Sequence, residues 1–351
     1  MSQGVRLYAG TQQGLIVCRP KKGGWEKVSR AFEDAIIDSI SGCRARPERV
    51  YAGVAHDGLY RTSDGGRSWS KVLDGDIRAV TVDPADDAVV YAGVEPVALF
   101  RSEDGGDRWR ELKTLKDLPE AVRKNWWFPR PPHLGHVRHI FIHPDDAKVI
   151  YLCIEHGGVV RSFDRGETWE DVSQGIDYLD IHAIANFPGS FERYYLASAR
   201  GFFTSADPAR GWSRTEAGLT RNYFHDFVFF PPATPGEPPE MLLAAADGSP
   251  GVWRREQRGA RAALFRSADG ARSWTRVTRG LAENLDSMVW ALARHPFDPR
   301  AVFAGFGNVA RGHASGPGGA GDLMFSSDAG ESWERLDIEL PADRVLWAAG
   351  E

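Results

Sequence analysis

Much of what would assign this chain of 351 residues to a familiar class is missing from it. It has no apolar run near the ~18 residues of a membrane-spanning helix, so a membrane partner is not expected. Its N-terminus has no charged-then-apolar leader, so no signal for export is read there. There are only 3 cysteines, Cys18, Cys43 and Cys153, widely spaced in strand-like surroundings. They suit buried free thiols in a reducing, cytoplasmic compartment rather than a disulfide framework. Basic surplus is absent too. The formal net charge is -5, and Lys21-Lys22 and Arg254-Arg255 are isolated pairs, which argues against a nucleic-acid partner. No linear metal-binding motif is present, so any metal ligands must come from separate parts of the chain.

What is present is a repeat. Residues 62–69 begin with Thr62, carry Asp64, Gly65 and Gly66, and end in Trp69. The pattern returns at 102–109, 162–169 and 326–333, and in variant form at 267–274, with Ala271 where glycine stands elsewhere. A looser copy keeps Ser205, Asp207 and Trp212, and near the N-terminus only Gly23-Gly24-Trp25 survives. Each residue type has a mechanical reason. Aspartate and serine or threonine accept backbone N–H groups inside their own turn. Glycine supplies positive φ in a hairpin loop, and tryptophan opens the next strand with a large apolar plate.

A second signature precedes each turn: Tyr8-Ala9-Gly10, Tyr51-Ala52-Gly53, Tyr91-Ala92-Gly93, and looser versions at Tyr151, Tyr195, Leu243 and Phe303. Its small residues suit a strand pressed between neighbouring sheets. Upstream of these lie alternating strands at 77–84, 137–144, 181–188, 224–231 and 289–296, with 37–43 and 344–349 in the same role. The repeat therefore contains four strands, A to D, and occurs seven times. The first copy lacks strand A and the chain ends in an A-like strand at Val345, so the terminal strand is expected to complete the first blade. The expectation is an all-β, seven-bladed β-propeller forming one domain over 1–351, with the repeated aspartates serving structure rather than catalysis.

Three insertions break the repeat. Residues 113–136 lie between strand D of the third blade and strand A of the fourth, with a short helix expected at 118–124 and then Trp126, Trp127 and Phe128 in a proline-rich stretch. Residues 247–261, with Trp253 and several arginines, and 308–321, with Arg311 and His313, join strands B and C of the sixth and seventh blades. All three are expected on one face, over a central pocket. Of the 10 histidines, all but His143 and His295 are expected on that face as well.

Candidate site residues follow from this map. Arg78 and Arg138 hold matching positions in adjacent A strands, aligned with His182 and His225, and Arg200 lies in a later B–C loop. Paired arginines suit capture of an anionic or sugar-like substrate, with Trp126 and Trp127 as an aromatic wall. Histidine beside glutamate suits acid–base work, so His182, His225 and Glu155 are the catalytic candidates. His139, His156 and His182 are candidate ligands for a divalent transition metal. A non-catalytic scaffold, gripping a protein segment through Trp126, Trp127 and Phe128, is the other reading.

The Ser/Thr-x-Asp-x-Gly-x-Thr/Ser-Trp pattern resembles the Asp-box, or BNR, repeat and covers essentially the whole chain. Chains with this repeat are similar to sialidases, sortilin-type receptors, xyloglucan-degrading hydrolases and photosystem II assembly factors, and are often labelled glycosyl hydrolases. The resemblance implies a propeller with either carbohydrate-directed chemistry or a binding role. Sialidase chemistry is disfavoured because no Arg-Ile-Pro motif is present. Paired-domain xyloglucanases would need about twice the length. Sortilin-like domains carry disulfides that this chain lacks. The nearest expected shape is a single-domain propeller of the assembly-factor type.

Overall fold

The computed structural model describes residues 5–43, 45–189, 193–283, 285–307, 321–338, 340 and 345–350. Seven four-stranded antiparallel sheets make it a seven-bladed β-propeller. Blade 1 joins the C-terminal strand Val345–Gly350 to Arg6–Thr11, Gly14–Lys21 and Gly24–Ala31, so the last strand completes the first blade as its missing strand A. No helix among the described residues is long and apolar enough to cross a membrane. Cys18, Cys43 and Cys153 are buried free thiols, and burial raises the pKa of Cys18 to about 12 and that of Cys43 to about 11.

The chain divides into two compact units. One holds blades 2 to 5, and the other blades 1, 6 and 7. Within the first, the A strands Ile37–Gly42, Asp76–Val82, His136–Ile142 and Ile181–Asn186 pack one against the next. The B strands beside them, such as Val50–Val54 and Ile150–Glu155, are buried almost throughout because sheets cover both faces. The outer D strands shrink to two residues in blades 3, 4 and 5.

Close approach between blades explains the Tyr-Ala-Gly signature. A Cβ added at Gly53 would lie 2.6 Å from Ser39 Oγ and 3.0 Å from Ile77 Cγ2. One at Gly93 would lie 2.5 Å from Val137 Cβ in the next blade. The tyrosine reaches the other way: Tyr51 donates to the Gly105 carbonyl at 2.7 Å, in the C–D turn of blade 3.

The repeated turn works as its residue types imply. Thr62 Oγ1 donates to Asp64 Oδ1 at 2.8 Å and accepts from Gly66 N at 2.9 Å, while Ser68 Oγ donates to Asp64 Oδ2 at 2.6 Å. The same bonds recur around Asp164, Asp269 and Asp328. The Ser68 hydroxyl, with backbone N–H groups, holds the Asp64 carboxyl well below its usual range. Two successive positive-φ residues close each turn, and where glycine is absent Arg165 (φ 61), Ala271 (φ 67) and Ala329 (φ 59) adopt that conformation instead.

Each A strand from blade 2 to blade 7 also carries a one-residue register shift, a β-bulge at residues 38, 78, 138, 182, 225 and 290. A bulge leaves its extra residue out of the pairing and re-aims that side chain.

Two substitutions test this account by urea unfolding. Gly93→Ala forces a methyl group into Val137 and is expected to destabilise by about 1–3 kcal/mol. Arg165→Gly removes a left-handed non-glycine residue and is expected to stabilise by up to about 1 kcal/mol.

Candidate functional site

The polar site lies on blades 3 to 5 and is built from the bulge residues and their neighbours. Arg78, the bulge residue of blade 3, meets Asp38 at 2.8 Å, Glu95 at 2.9 Å and Asp76 at 3.1 Å. Asp38 is itself the bulge residue of the preceding blade. His56 Nδ1 extends the row, 2.8 Å from Asp76. An anion reaching Arg78 would have to displace three carboxylates of the protein itself.

His136 carries the row into blade 4. It pairs with Glu155 across strands A and B, as Asp76 pairs with Glu95 one blade earlier. Its Nε2 lies 2.9 Å from Glu155 Oε2, and its Nδ1 stands 3.2 Å from Glu95 Oε2. Burial alone would lower its pKa, but the hydrogen bond to Glu155 and the close approach of Glu95 outweigh burial and raise it to about 9. Glu95 is correspondingly held below its usual range, first by its close contact with His136. Burial would raise the pKa of Glu155, yet the His136 hydrogen bond and the charges of His136 and Arg138 hold it well below. Arg138, the bulge residue of blade 4, brings Nε to 3.4 Å from Glu155 Oε2.

Beside this row stand two histidines and an aspartate. His156 follows Glu155 in the B–C turn with φ 57, a left-handed conformation uncommon for a non-glycine residue. Its Nε2 is 3.5 Å from Asp180 Oδ2, and His182 Nε2 is 3.4 Å from Asp180 Oδ1. One ligand atom each from Glu155, His156 and Asp180 converge within 4.8 Å of one another. His182, the bulge residue of blade 5, is buried behind Asp180.

The 113–136 insertion folds over part of this cluster. It opens with a 3₁₀ turn at Lys113–Asp117 and one helical turn at Glu120–Arg123, the latter inside the stretch where a short helix was expected. Trp126 packs against the blade core, close enough to Gly157 that a Cβ there would lie 2.8 Å from its ring. Gly135 donates to the Trp126 carbonyl at 3.2 Å and closes the 126–135 stretch on itself. Phe128 sets its ring edge-on to both His136 (5.4 Å) and His156 (5.6 Å). Trp127 is 51% exposed, with one face stacked on His133 at 5.1 Å.

The structure thus brings Glu155, His156, His182 and Arg138 together, with Arg78 at the far end of the same row. His139 stands apart from them. It accepts from the Ile184 backbone N–H at 3.4 Å, and burial, helped by Arg138, lowers its pKa to about 4, so it is neutral near pH 7. His225 belongs to the other unit, edge-on to Trp290 at 4.9 Å. Arg200 is exposed in the B–C turn of blade 5. In the 247–261 insertion a helix, Pro250–Glu256, buries Trp253, whose Nε1 donates to the Asp247 carbonyl at 2.8 Å. Of the third insertion, 308–320 with Arg311 and His313 lie outside the described residues.

Sequence reasoning passed over His136 and Asp180 as site residues. A signal was available, because Asp76, His136 and Asp180 each stand two residues before a bulge, at the mouth of strand A.

No family model matches the chain. It is 26% identical over 224 residues to the oligoxyloglucan-reducing end-specific xyloglucanase of Emericella nidulans, an alignment covering 61% of this chain and 25% of that protein. The chain therefore spans about a quarter of the length of the curated relative it matches. Among solved structures it is similar to the GH74 xyloglucanase from Xanthomonas campestris, with TM-score 0.65 and 18% identity over 97% of this chain and 52% of that one. It is also similar to YCF48 bound to D1 peptide, with TM-score 0.57 and 19% identity over 85% of each chain. YCF48 from Cyanidioschyzon merolae gives TM-score 0.57 and 15% identity, over 93% of this chain and 98% of that one. At these identities the likeness to the solved structures establishes the propeller fold.

The His136 bridge has a pH signature in chelator-treated protein. A pKa raised on folding contributes stability that is fully present below the ordinary histidine value of about 6.5 and lost as pH rises through about 9. The depressed carboxylates contribute above their ordinary range and lose their share as pH falls below it. His136→Gln leaves two half-buried carboxylates facing each other and is expected to cost about 3 kcal/mol. In paired denaturation curves the gap from wild type should be widest between about pH 5 and 6.5 and narrow toward pH 9.

Proposed function

We propose that the cluster on blades 3 to 5 binds a carbohydrate-like, polyhydroxylated ligand and acts on it by a hydrolase or lyase reaction. The observation that carries this is the convergence of Glu155, His156 and Asp180 within 4.8 Å, beside the aromatic loop. Three groups able to hold or move protons at one spot exceed what packing requires. Glu155, kept ionised by His136 and Arg138, is the base in this reading, and His156 and Asp180 serve the ligand's hydroxyl groups. Trp127 offers an exposed ring for stacking on a sugar. Arg78 is a positioning residue that fixes Glu95, and through it His136. The named activity of the curated relative, directed at oligoxyloglucan, supports this ligand class. The repeated Ser/Thr-x-Asp turn supports a place among BNR/Asp-box propellers, and the three buried thiols support a cytoplasmic setting.

A second reading has an observation of its own. YCF48, similar over most of its length, was solved with a bound peptide, and the exposed Trp127 would serve a peptide partner as an apolar anchor.

Calorimetry against neutral and acidic oligosaccharides, paired with a selected-peptide library, separates the two. Under the carbohydrate reading Trp127→Ala weakens sugar binding about tenfold, a loss of about 1.4 kcal/mol. Glu155→Gln abolishes turnover while the sugar still binds. A protein that ignores every oligosaccharide but retains peptides through Trp127 overturns that reading in favour of the scaffold.

A further inference from the structure

We infer that Glu155, His156 and Asp180 form a binding site for one divalent transition ion of the Zn²⁺ or Mn²⁺ class. The inference concerns side chains also used in the carbohydrate reading but does not depend on it, since an ion held there needs no sugar.

Metal–ligand bonds of about 2.0–2.2 Å put neighbouring ligand atoms about 3–3.6 Å apart. His156 Nε2 and Asp180 Oδ2 already stand at 3.5 Å, and the Glu155 ligand atom lies within 4.8 Å of both. Small side-chain rotations close the set. The three ligands come from two neighbouring structural pieces, the end of strand B with the B–C turn of blade 4 and the lead-in to strand A of blade 5.

The second observation is independent of the spacing. Asp180 is only 7% exposed, and its buried Oδ1 accepts no hydrogen bond. The nearest group of suitable charge, His182 Nε2, stands at 3.4 Å. Buried carboxylate oxygens are nearly always satisfied, because desolvating one without a partner is costly. That oxygen faces His182, and an ion held on Oδ2 between His156 and Glu155 places positive charge on the same carboxylate.

The surroundings fit. The His136 hydrogen bond and the 3.4 Å approach of Arg138 Nε both fall on Glu155 Oε2. His136 behind Glu155 gives that carboxylate an orienting hydrogen bond, as ligating carboxylates commonly have, and His182 Nε2 stands 3.4 Å behind Asp180. One imidazole with two carboxylates balances a divalent charge. That donor mix suits a borderline ion better than the all-oxygen sets that favour calcium or magnesium. Three protein ligands also leave a coordination position for water or a substrate oxygen, where a metal polarises what it holds. His139, bound to the Ile184 backbone, has no part in the site.

The test uses the full chain stripped with chelator and titrated calorimetrically with Zn²⁺ and then Mn²⁺, no sugar being present. One ion per chain is expected, with affinity falling about a hundredfold or more in Asp180→Asn and His156→Ala. His56→Ala, in the matching turn of blade 2, controls for adventitious histidine binding and should bind as wild type does. Wild type that takes up no ion, or an Asp180→Asn variant that is folded by circular dichroism and binds equally well, overturns the site. If the variants do not fold, Mn²⁺ added to wild type at equimolar level decides the matter through ring NMR signals. Selective broadening of His156 and His182 supports the site, and its absence overturns it. Sugar binding measured on the stripped protein reads the carbohydrate proposal separately.

Discussion

One extra residue in the first strand of blades 2 to 7 governs the chemistry of this molecule. In a regular strand the side chains at 78, 138 and 182 would alternate strictly between the two faces of their sheets. The bulge takes each out of the ladder and turns it toward the mouth of its strand. Arg78, Arg138 and His182 then meet acids delivered by B strands and by the segments leading into A strands. The cost is an interrupted ladder, which the buried B strands and close blade packing offset.

From that constraint follows a row of alternating charge: Asp38, Arg78, Glu95, His136, Glu155, Arg138. Every member has an opposite neighbour, and burial strengthens the interactions while making each removal costly. The row immobilises Glu155 between His136 and Arg138. Next to it the alternation breaks, since Asp180 has histidines at 3.4 and 3.5 Å but no hydrogen bond on its buried oxygen. A row of opposite charges beside an acid without a hydrogen bond on its buried oxygen separates scaffold from site more clearly than any residue type does.

The insertion at 113–136 adds the apolar side. Phe128 covers His136 and His156 and limits water around them, while Trp126 and Gly135 pin the loop so that Trp127 stays exposed. A rigid edge beside an exposed ring gives a ligand both a floor and a wall.

The sequence by itself determined the seven blades, the terminal strand that completes blade 1 and the turn-binding role of the repeated aspartates. All of these rest on local chemistry repeated in register: an aspartate closing its own turn, a glycine where the next strand presses close. It also pointed to Glu155, His156 and His182, because histidines cluster where the repeat allows polar loops. It did not resolve who pairs with whom. His139 and Arg138 are adjacent in the chain, yet one accepts from a backbone N–H while the other contacts Glu155, because a bulge reverses the alternation a strand would otherwise obey. His136 and Asp180 gained part of their importance from partners 41 and 24 positions away, Glu95 and His156. Those distances were set by packing between blades, and electrostatic pairing depends on separation in space, which no linear spacing records.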